Sequence, residues 1–301
     1  MEEIKRLNSL FVDGQEADTS SVAEILVVSD ETSCSYMTFE SSFLQQTLQP
    51  AQVQLAKLGA PHDSILADDL GAVDFSRYKL VIFLNCVHLT DTQRGLIRRR
   101  VLSGNRAVLW CYAPGLFNGA QRSVAAMRDL TGMRLVMDSN PEPFRARIRL
   151  NDAGMQLLSK SAASPSVIGH EHVWAQMIHV EDPDAVVLGR LEGGDKAVLA
   201  MKSLADHTSI YTLNPVLPAS FFRALARRAG AHIYHHRSDT FYASTNFLCV
   251  NADGAGRRNL RFPKPVDLVD PFTGKRRAQN TTQYECFLKD KETLLLRVEA
   301  T

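Results

Sequence analysis

The stretch from Tyr78 to Gly119 constrains the fold of this 301-residue chain more than any other segment. Leu80 to Leu84 is an unbroken apolar run of strand length, Asp91 to Val101 has helical periodicity, and Ala107 to Cys111 is a second apolar run. Neither run alternates apolar and polar residues, as a half-exposed strand does. The pattern therefore predicts a β-α-β unit whose two strands are parallel, central and covered by helices on both faces.

Similar patterns upstream extend the predicted sheet. Glu24 to Asp30 is predicted to form a first buried strand, Phe39 to Leu58 a helix interrupted at Pro50, and Ser64 to Leu66 a short second strand. Strands and helices alternate throughout this region. The expected fold class is therefore α/β, a doubly wound parallel sheet of flavodoxin-like type followed by a small all-β domain.

The rest of the chain is richer in strands. A helix is predicted at Leu217 to Gly230 and a closing strand at Ala231 to Tyr234. Other strands are predicted at Arg134–Met137, Phe144–Leu150, Val173–Val180, Val186–Leu191, Ala197–Met201, Ser209–Leu213, Phe247–Val250, Asn259–Phe262, Val266–Val269, Tyr284–Leu288 and Thr293–Val298. The short strands after Phe241, separated by turn clusters, are typical of an all-β module. The expected domains are 1–21, an N-terminal amphipathic helix and linker, 22–238, the α/β domain, and 239–301, a small antiparallel β domain.

Charge and cysteine usage narrow the class of protein. The chain has 34 Lys and Arg against 33 Asp and Glu, a formal net charge of +1, so neither nucleic acid nor an anionic membrane is an expected partner. Short basic runs such as Arg98 to Arg100 and Arg257-Arg258 are interpreted as solvated faces. The five cysteines are widely spaced, which favours reduced thiols and a cytoplasmic location.

A ligand site is expected at the carboxyl ends of the predicted parallel strands, where such sheets bind ligands. The residues there, the candidates for a ligand cleft, are Asp30, Asn85, Cys86, His88 and Tyr112. In extended chain the side chains of Cys86 and His88 point to the same side, so a contact between them is one interpretation. A loop cysteine beside a solvated histidine is the other.

Cys111 is the candidate catalytic residue. It ends a buried strand and precedes a Tyr-Ala-Pro-Gly turn, where backbone N–H groups lower a thiol pKa. The position resembles the nucleophile elbow of the class I glutamine amidotransferase superfamily, although Trp110 and Tyr112 replace the flanking glycines of that elbow. No histidine carries a motif that pairs it with Cys111, and a buried structural thiol is the alternative.

Two pairs of histidines are candidate metal ligands, but neither pair forms a complete metal site. His170 with His172, and His232 with His236, could each share one face of a strand. A third ligand at a recognisable spacing is missing from the sequence around both pairs. Neither a metal site nor a cofactor is predicted.

The order of these elements resembles a known arrangement. ILVVSD, GAPHDSILADDL and DFSRYKLVIFLNCVHLTDTQRGLIRRRVLSGNRAVLWCYAPG resemble the trimerisation domain of family 42 β-galactosidases, an amidotransferase-like α/β domain that follows the catalytic barrel. FLCVNADGAGRRNLRFPKPVDLVDPFTGK is similar to the small C-terminal β domain of the same multidomain glycoside hydrolases. The resemblance covers residues 22 to 298. It implies that the catalytic glutamates lie on a barrel that this sequence does not contain, and that the α/β domain contributes to subunit contacts and active-site walls.

Three functions follow as hypotheses. The first is a non-catalytic accessory module of a carbohydrate-active enzyme, whose partners are a glycosidase barrel domain or further copies of itself. The second is a cysteine-dependent hydrolase or amidase with Cys111 as nucleophile. The third is a small-ligand or sugar-binding module that uses the strand-end cleft, with carbohydrate as its partner.

Overall fold

The computed structural model describes residues 17–37, 43–139, 142–158, 165–169, 171, 173–174 and 176–300, with residues 8, 12 and 14, and at residues 43–45 it describes the backbone alone. Most of the predicted N-terminal helix, the predicted helix start at Phe39, and both His170 and His172 lie outside these residues. The chain divides into two compact units. One comprises Ile25–Leu55 with Asp63–Ala231, and the other Met1–Glu24, Ala56–His62 and His232–Thr301.

The larger unit is built around one mixed sheet of 11 strands. Its strands, including those of two small two-stranded sheets, are β1 (Ile25–Ser29), β2 (Asp63–Leu66), β3 (Leu80–Phe83), β4 (Arg106–Cys111), β5 (Phe117–Asn118), β6 (Gln121–Arg122), β7 (Leu135–Met137), β8 (Phe144–Arg145), β9 (Ile148–Leu150), β10 (Val167–Ile168), β11 (Val173–Trp174), β12 (Ile178–Val180), β13 (Val186–Leu191), β14 (Ala197–Ser203) and β15 (His207–Thr212). The helices are Phe43–Ala56, Asp91–Leu96, Val124–Thr131, Asp152–Leu158 and Ala219–Arg228, with a π-helical turn Ile97–Val101 and 3₁₀ turns Thr32–Tyr36 and Ala67–Gly71.

Five neighbouring strands of this sheet are parallel, in the order β2-β1-β3-β4-β15. Beyond β15 the sheet becomes antiparallel through β14, β13, β9 and β10. Every residue of β3 and β4 is buried, so the prediction that these apolar runs form central parallel strands is confirmed. The sheet as a whole is mixed, because the 186–212 segment folds back on itself as hairpins.

Local sequence signals explain where the helices begin and end. Thr90 and Gln93 form a capping box: the Thr90 hydroxyl accepts from the Gln93 N–H, and the Gln93 side chain accepts from the Thr90 N–H. The Ser123 hydroxyl caps the next helix by accepting from the Ala126 N–H, and Gly132, with a φ of 65°, ends that helix in the left-handed conformation. Pro50 does not interrupt its helix, which runs through it from Phe43 to Ala56.

Two predicted strands, Phe144–Leu150 and Val173–Val180, are each divided into two short strands, and a third prediction is wrong. Ala231 to Tyr234 forms no strand, because the N–H groups of Tyr234 and His235 both donate to the single carbonyl of Gly59. A ladder would need two acceptors on alternate residues of a neighbouring strand.

The smaller unit contains a five-stranded antiparallel sheet in the order β16-β17-β20-β18-β19. Its strands are β16 (Thr240–Ala243), β17 (Phe247–Asn251), β18 (Gly256–Val269), β19 (Arg276–Leu288) and β20 (Thr293–Ala300). One face buries an apolar cluster that includes Phe241, Leu248, Leu260 and Leu296. The two strands predicted between Asn259 and Val269 are a single strand whose register shifts after Arg261, where two prolines remove ladder donors. The predicted boundary near Ser238 stays a prediction.

Candidate functional site

The carboxyl ends of β1 and β3 are joined by the side chain of Asn85. Its Oδ1 accepts from the Asp30 N–H at 2.8 Å and its Nδ2 donates to the Asp30 carbonyl at 2.8 Å. These two bonds continue the parallel ladder beyond the last backbone pair, Val28 with Phe83. The structure thus brings together two predicted cleft residues, Asp30, which is 3% exposed, and Asn85, which is 2% exposed. The side-chain amide of Asn85, however, bonds the backbone of Asp30 and is not directed at a ligand.

The Asp30 carboxylate shapes the loop that follows β1. Its Oδ2 accepts from the Ser33 N–H at 2.5 Å, and Ser33 Oγ in turn accepts from the His88 N–H at 2.9 Å. Ser33 therefore connects the loops after β1 and β3. A serine three residues after a strand-end aspartate is a turn signal, and it was missed in the sequence.

The imidazole ring of His88 is buried, so the interpretation of His88 as a solvated loop histidine is wrong. It is 8% exposed, and it stacks on Tyr36 with ring centroids 4.8 Å apart. Cys86 does not meet it, because the Val87 N–H turns back to the Asn85 carbonyl at 2.8 Å and the chain is not extended there. The thiol of Cys86 instead points to the Val28 carbonyl, 3.6 Å away.

Cys111 is the last residue of β4. It is fully buried, and burial raises the pKa of its thiol far above the ordinary value. Within the described part of the chain, no histidine forms a hydrogen bond with this thiol. These surroundings are those of a structural thiol, and the catalytic role of Cys111 stays a prediction that the geometry does not favour.

The sharp turn after β4 is at Tyr112. The resemblance to a nucleophile elbow predicts it one position earlier, at Cys111. Tyr112 has a φ of 62°, its N–H donates to the Thr212 carbonyl at 2.8 Å, and its own carbonyl accepts from the Tyr211 hydroxyl at 2.8 Å. Its ring meets Trp174 edge to face at 5.3 Å. Burial raises the pKa of Tyr112 to about 12, so its phenol is protonated at neutral pH.

Arg94 holds the same edge of the sheet together and was not singled out in the sequence. Its guanidinium donates to the carbonyls of Leu89, Gly115 and Phe117 at 3.0, 2.6 and 3.1 Å. It thereby fixes the loop after β4 against the loop after β3. The capping box at Thr90 was a visible signal that a helix starts here, but nothing local predicts which carbonyls an arginine reaches.

The histidines and acids of the described residues form no group of three that could hold a metal ion. His232 bonds the Arg261 carbonyl through Nε2 at 2.9 Å, and His235 bonds Asp239 at 2.7 Å. The same residues include no helix long and apolar enough to cross a membrane.

The strand-end arrangement can therefore position backbone and aromatic groups but, in the part of the chain that is described, does not assemble a nucleophile with a base. Asn85 and Arg94 donate to main-chain carbonyls, and the Asp30 carboxylate accepts from a main-chain N–H. Chemistry of the triad type needs a base within hydrogen-bond reach of the nucleophile.

Comparison with solved structures gives the class of fold. The β-galactosidase from Bacillus circulans sp. alkalophilus matches with a TM-score of 0.66 and 15% identity, over 93% of this chain and 42% of that one. A GH42 β-galactosidase from G. stearothermophilus matches with a TM-score of 0.63 and 14% identity, over 93% and 40%. The β-galactosidase from the psychrophilic Marinomonas ef1 matches with a TM-score of 0.58 and 13% identity, over 98% and 41%.

These matches confirm the resemblance at the level of the fold: the chain folds like a segment of GH42 β-galactosidases. It spans about two fifths of the length of those enzymes. No protein-family model matches the sequence, and no curated protein matches it.

Proposed function

We propose that this chain is a non-catalytic accessory module of a GH42-like β-galactosidase, with a role in assembly. The observation that carries the proposal is the fold match, which covers 93% of the chain yet only 42% of the Bacillus circulans enzyme. The fold matches along nearly the whole chain, yet the chain corresponds to less than half of the enzyme. This supports an accessory role beside a separate catalytic domain.

The strand-end geometry supports the non-catalytic part of the proposal. Two of the residues expected to form a ligand cleft, Asp30 and Asn85, are buried and bonded to main-chain groups, and the Cys111 thiol expected to be nucleophilic is buried. General acid–base catalysis requires polar atoms that can reach the substrate, and groups bonded to the main chain do not provide them.

Exposed apolar side chains support the assembly part. Val173 and Val186 of the larger unit are 59% and 51% exposed. Under the proposal they contact a barrel domain or a further copy of the chain.

We also propose a flavodoxin-like, amidotransferase-like ancestry for the parallel core. The order β2-β1-β3-β4-β15 supports it, since numbering these strands along the chain reproduces the 2-1-3-4-5 order of flavodoxin-like sheets.

We further propose a cytoplasmic location, which the five free cysteines support.

Native mass spectrometry of the purified chain, alone and mixed with the barrel region of a GH42 β-galactosidase, tests the proposal. We expect self-association or a complex with the barrel, and no hydrolysis of a nitrophenyl galactoside by the chain alone. Val186→Asp and Val173→Asp should weaken the association if these residues contact the partner, while Asp184→Asn, an exposed change between them in sequence, should not. A strict monomer without affinity for the barrel would refute the assembly role, and galactoside hydrolysis by the chain alone would refute the non-catalytic role.

The cysteine-hydrolase alternative has no structural observation in its favour, and the sugar-binding alternative has only the aromatic contact of Tyr112 with Trp174. Both stay behind the assembly proposal.

A further inference from the structure

A cleft of about 430 Å³ opens at the amino ends of β4 and β15, the opposite edge of the sheet from the residues predicted to bind a ligand. Its apolar surface comes from Ala107, Ile210 and Leu225. Thr208 faces the same side of the sheet as Ile210, because side chains two apart on a strand share a face. The volume falls within the range of small-molecule sites, about 300 to 1,000 Å³.

Three polar side chains that reach solvent line this cleft. They are Arg228, Thr208 and Asn105, and among the described residues none of the three side chains makes a hydrogen bond or an ion pair. The lining includes no Asp or Glu. A cleft with a guanidinium, a hydroxyl and a carboxamide, and without an acid, favours an anionic ligand that carries hydrogen-bonding groups.

Arg228 is not needed to satisfy the end of its own helix. The Leu225 carbonyl accepts from Ala229, the Arg227 carbonyl from Gly230, and the Ala226 carbonyl from Ala231. Lys79 Nζ donates to the Gly230 carbonyl at 2.9 Å. A basic residue in a last turn is favourable for the helix dipole, but the donors of Arg228 remain available.

The wall beside Arg228 is held firmly. Arg106 donates to the carbonyls of Tyr78, Phe75, Arg100, Val101 and Ser103. These bonds fix the turn that carries Asn105, which has a φ of 54°. All three guanidinium nitrogens of Arg106 already donate to carbonyls. Arg106 therefore adds positive charge to the wall, and Arg228 is the donor that a ligand would engage.

We propose that this cleft binds a small organic oxyanion, with Arg228 holding the anionic group and Thr208 and Asn105 bonding neighbouring hydroxyls. A guanidinium fork matches both a carboxylate and a phosphate, so the shared chemistry is a planar or tetrahedral oxyanion. This proposal goes beyond the assembly role, and it does not depend on it.

Isothermal titration of the whole purified chain at constant ionic strength tests the site with three probes: glucuronate, inorganic phosphate and neutral glucose. Saturable binding of glucuronate or phosphate, with none of glucose, is expected, and which anion binds more tightly identifies the anionic group. Arg228→Gln should weaken binding at least about tenfold, since it removes the charged donor that the oxyanion accepts from. Thr208→Val should weaken glucuronate binding more than phosphate binding.

Arg227→Gln is the matched control, because it removes the same charge from the same helical turn at a residue that does not line the cleft. It should change the affinity less than twofold. Equal losses in Arg227→Gln and Arg228→Gln, or no saturable binding of either anion, would overturn the proposal. Thermal melting of each variant establishes that it is folded, and an unchanged native mass separates this result from the assembly role.

Discussion

Arg258 holds the Asp239 carboxylate with two parallel hydrogen bonds, Nε to Oδ2 at 2.9 Å and Nη2 to Oδ1 at 3.0 Å. Both side chains are buried in the smaller unit, and His235 Nε2 lies 2.7 Å from the same Oδ2. The remaining donors of Arg258 reach the carbonyls of Gly254 and Gly256, both at 2.6 Å. This ion pair therefore fixes the turn before β18, and Arg258 is not part of the solvated basic face that its sequence predicted.

Asp239→Asn should destabilise the chain by about 3 to 5 kcal/mol, because it leaves a buried guanidinium without its counter-charge. Urea denaturation of the full chain measures the change. Glu285→Gln, an exposed substitution in β19 of the same unit, should stay within about 0.5 kcal/mol of the wild type. A loss for Asp239→Asn no larger than that of the control would show that the ion pair is dispensable.

Acid should remove the contribution of Asp239. Burial alone would raise the pKa of this carboxyl, but hydrogen bonds from Arg258, the Asp253 N–H and His235 hold the pKa below its usual value of 3.8. A group whose pKa is lowered on folding stabilises the folded state above its unfolded pKa, and loses that contribution as the pH falls through its folded pKa.

Denaturation of wild type and Asp239→Asn in parallel, from pH 7 to about pH 3, measures this dependence. The difference in unfolding free energy between the two should shrink below about pH 4, as the Asp239 carboxylate is protonated. A difference that stays constant down to about pH 3 contradicts the assigned role of the carboxylate charge.

The Asn85 side chain should contribute to stability through the two bonds that join β1 and β3. Asn85→Ala removes both and leaves the buried N–H and carbonyl of Asp30 without those partners, which costs about 1 to 3 kcal/mol for each unsatisfied group. Asn118→Ala, which loses one exposed hydrogen bond to Asp91, is the control and should have little effect. Equal denaturation midpoints for the two variants would show that Asn85 does not join the strands energetically.

The parts of this fold that were predictable depend on nearby residues. The apolar runs ending at Leu84 and Cys111 are unbroken, and full burial in parallel strands is what such runs indicate. The helix start at Thr90 was equally readable, since its capping box spans four residues.

The parts that were not predictable depend on distant partners. Ala231 to Tyr234 has the composition of a strand, but the Gly59 carbonyl offers one acceptor where a ladder needs more. Arg258 belongs to a basic run, and its partner Asp239 lies 19 residues away. The predicted position of the sharp turn was wrong by one residue. The strand ends at Cys111, so the residue with a positive φ is Tyr112. A shift of one position along a strand moves a side chain to the other face of the sheet.

Alkylation of the cysteines in the native protein separates the assembly role from the hydrolase alternative. Cys86 and Cys111 are buried, and burial raises the pKa of both thiols far above the ordinary range, so both should stay unreactive until the chain unfolds. Cys34, Cys249 and Cys286 are partly exposed and should react first, although burial raises their pKa as well. Peptide mass spectrometry after timed alkylation at several pH values measures each rate. Rapid labelling of Cys111 at neutral pH would place the hydrolase hypothesis ahead of the assembly role, whereas labelling only in denaturant identifies a structural thiol.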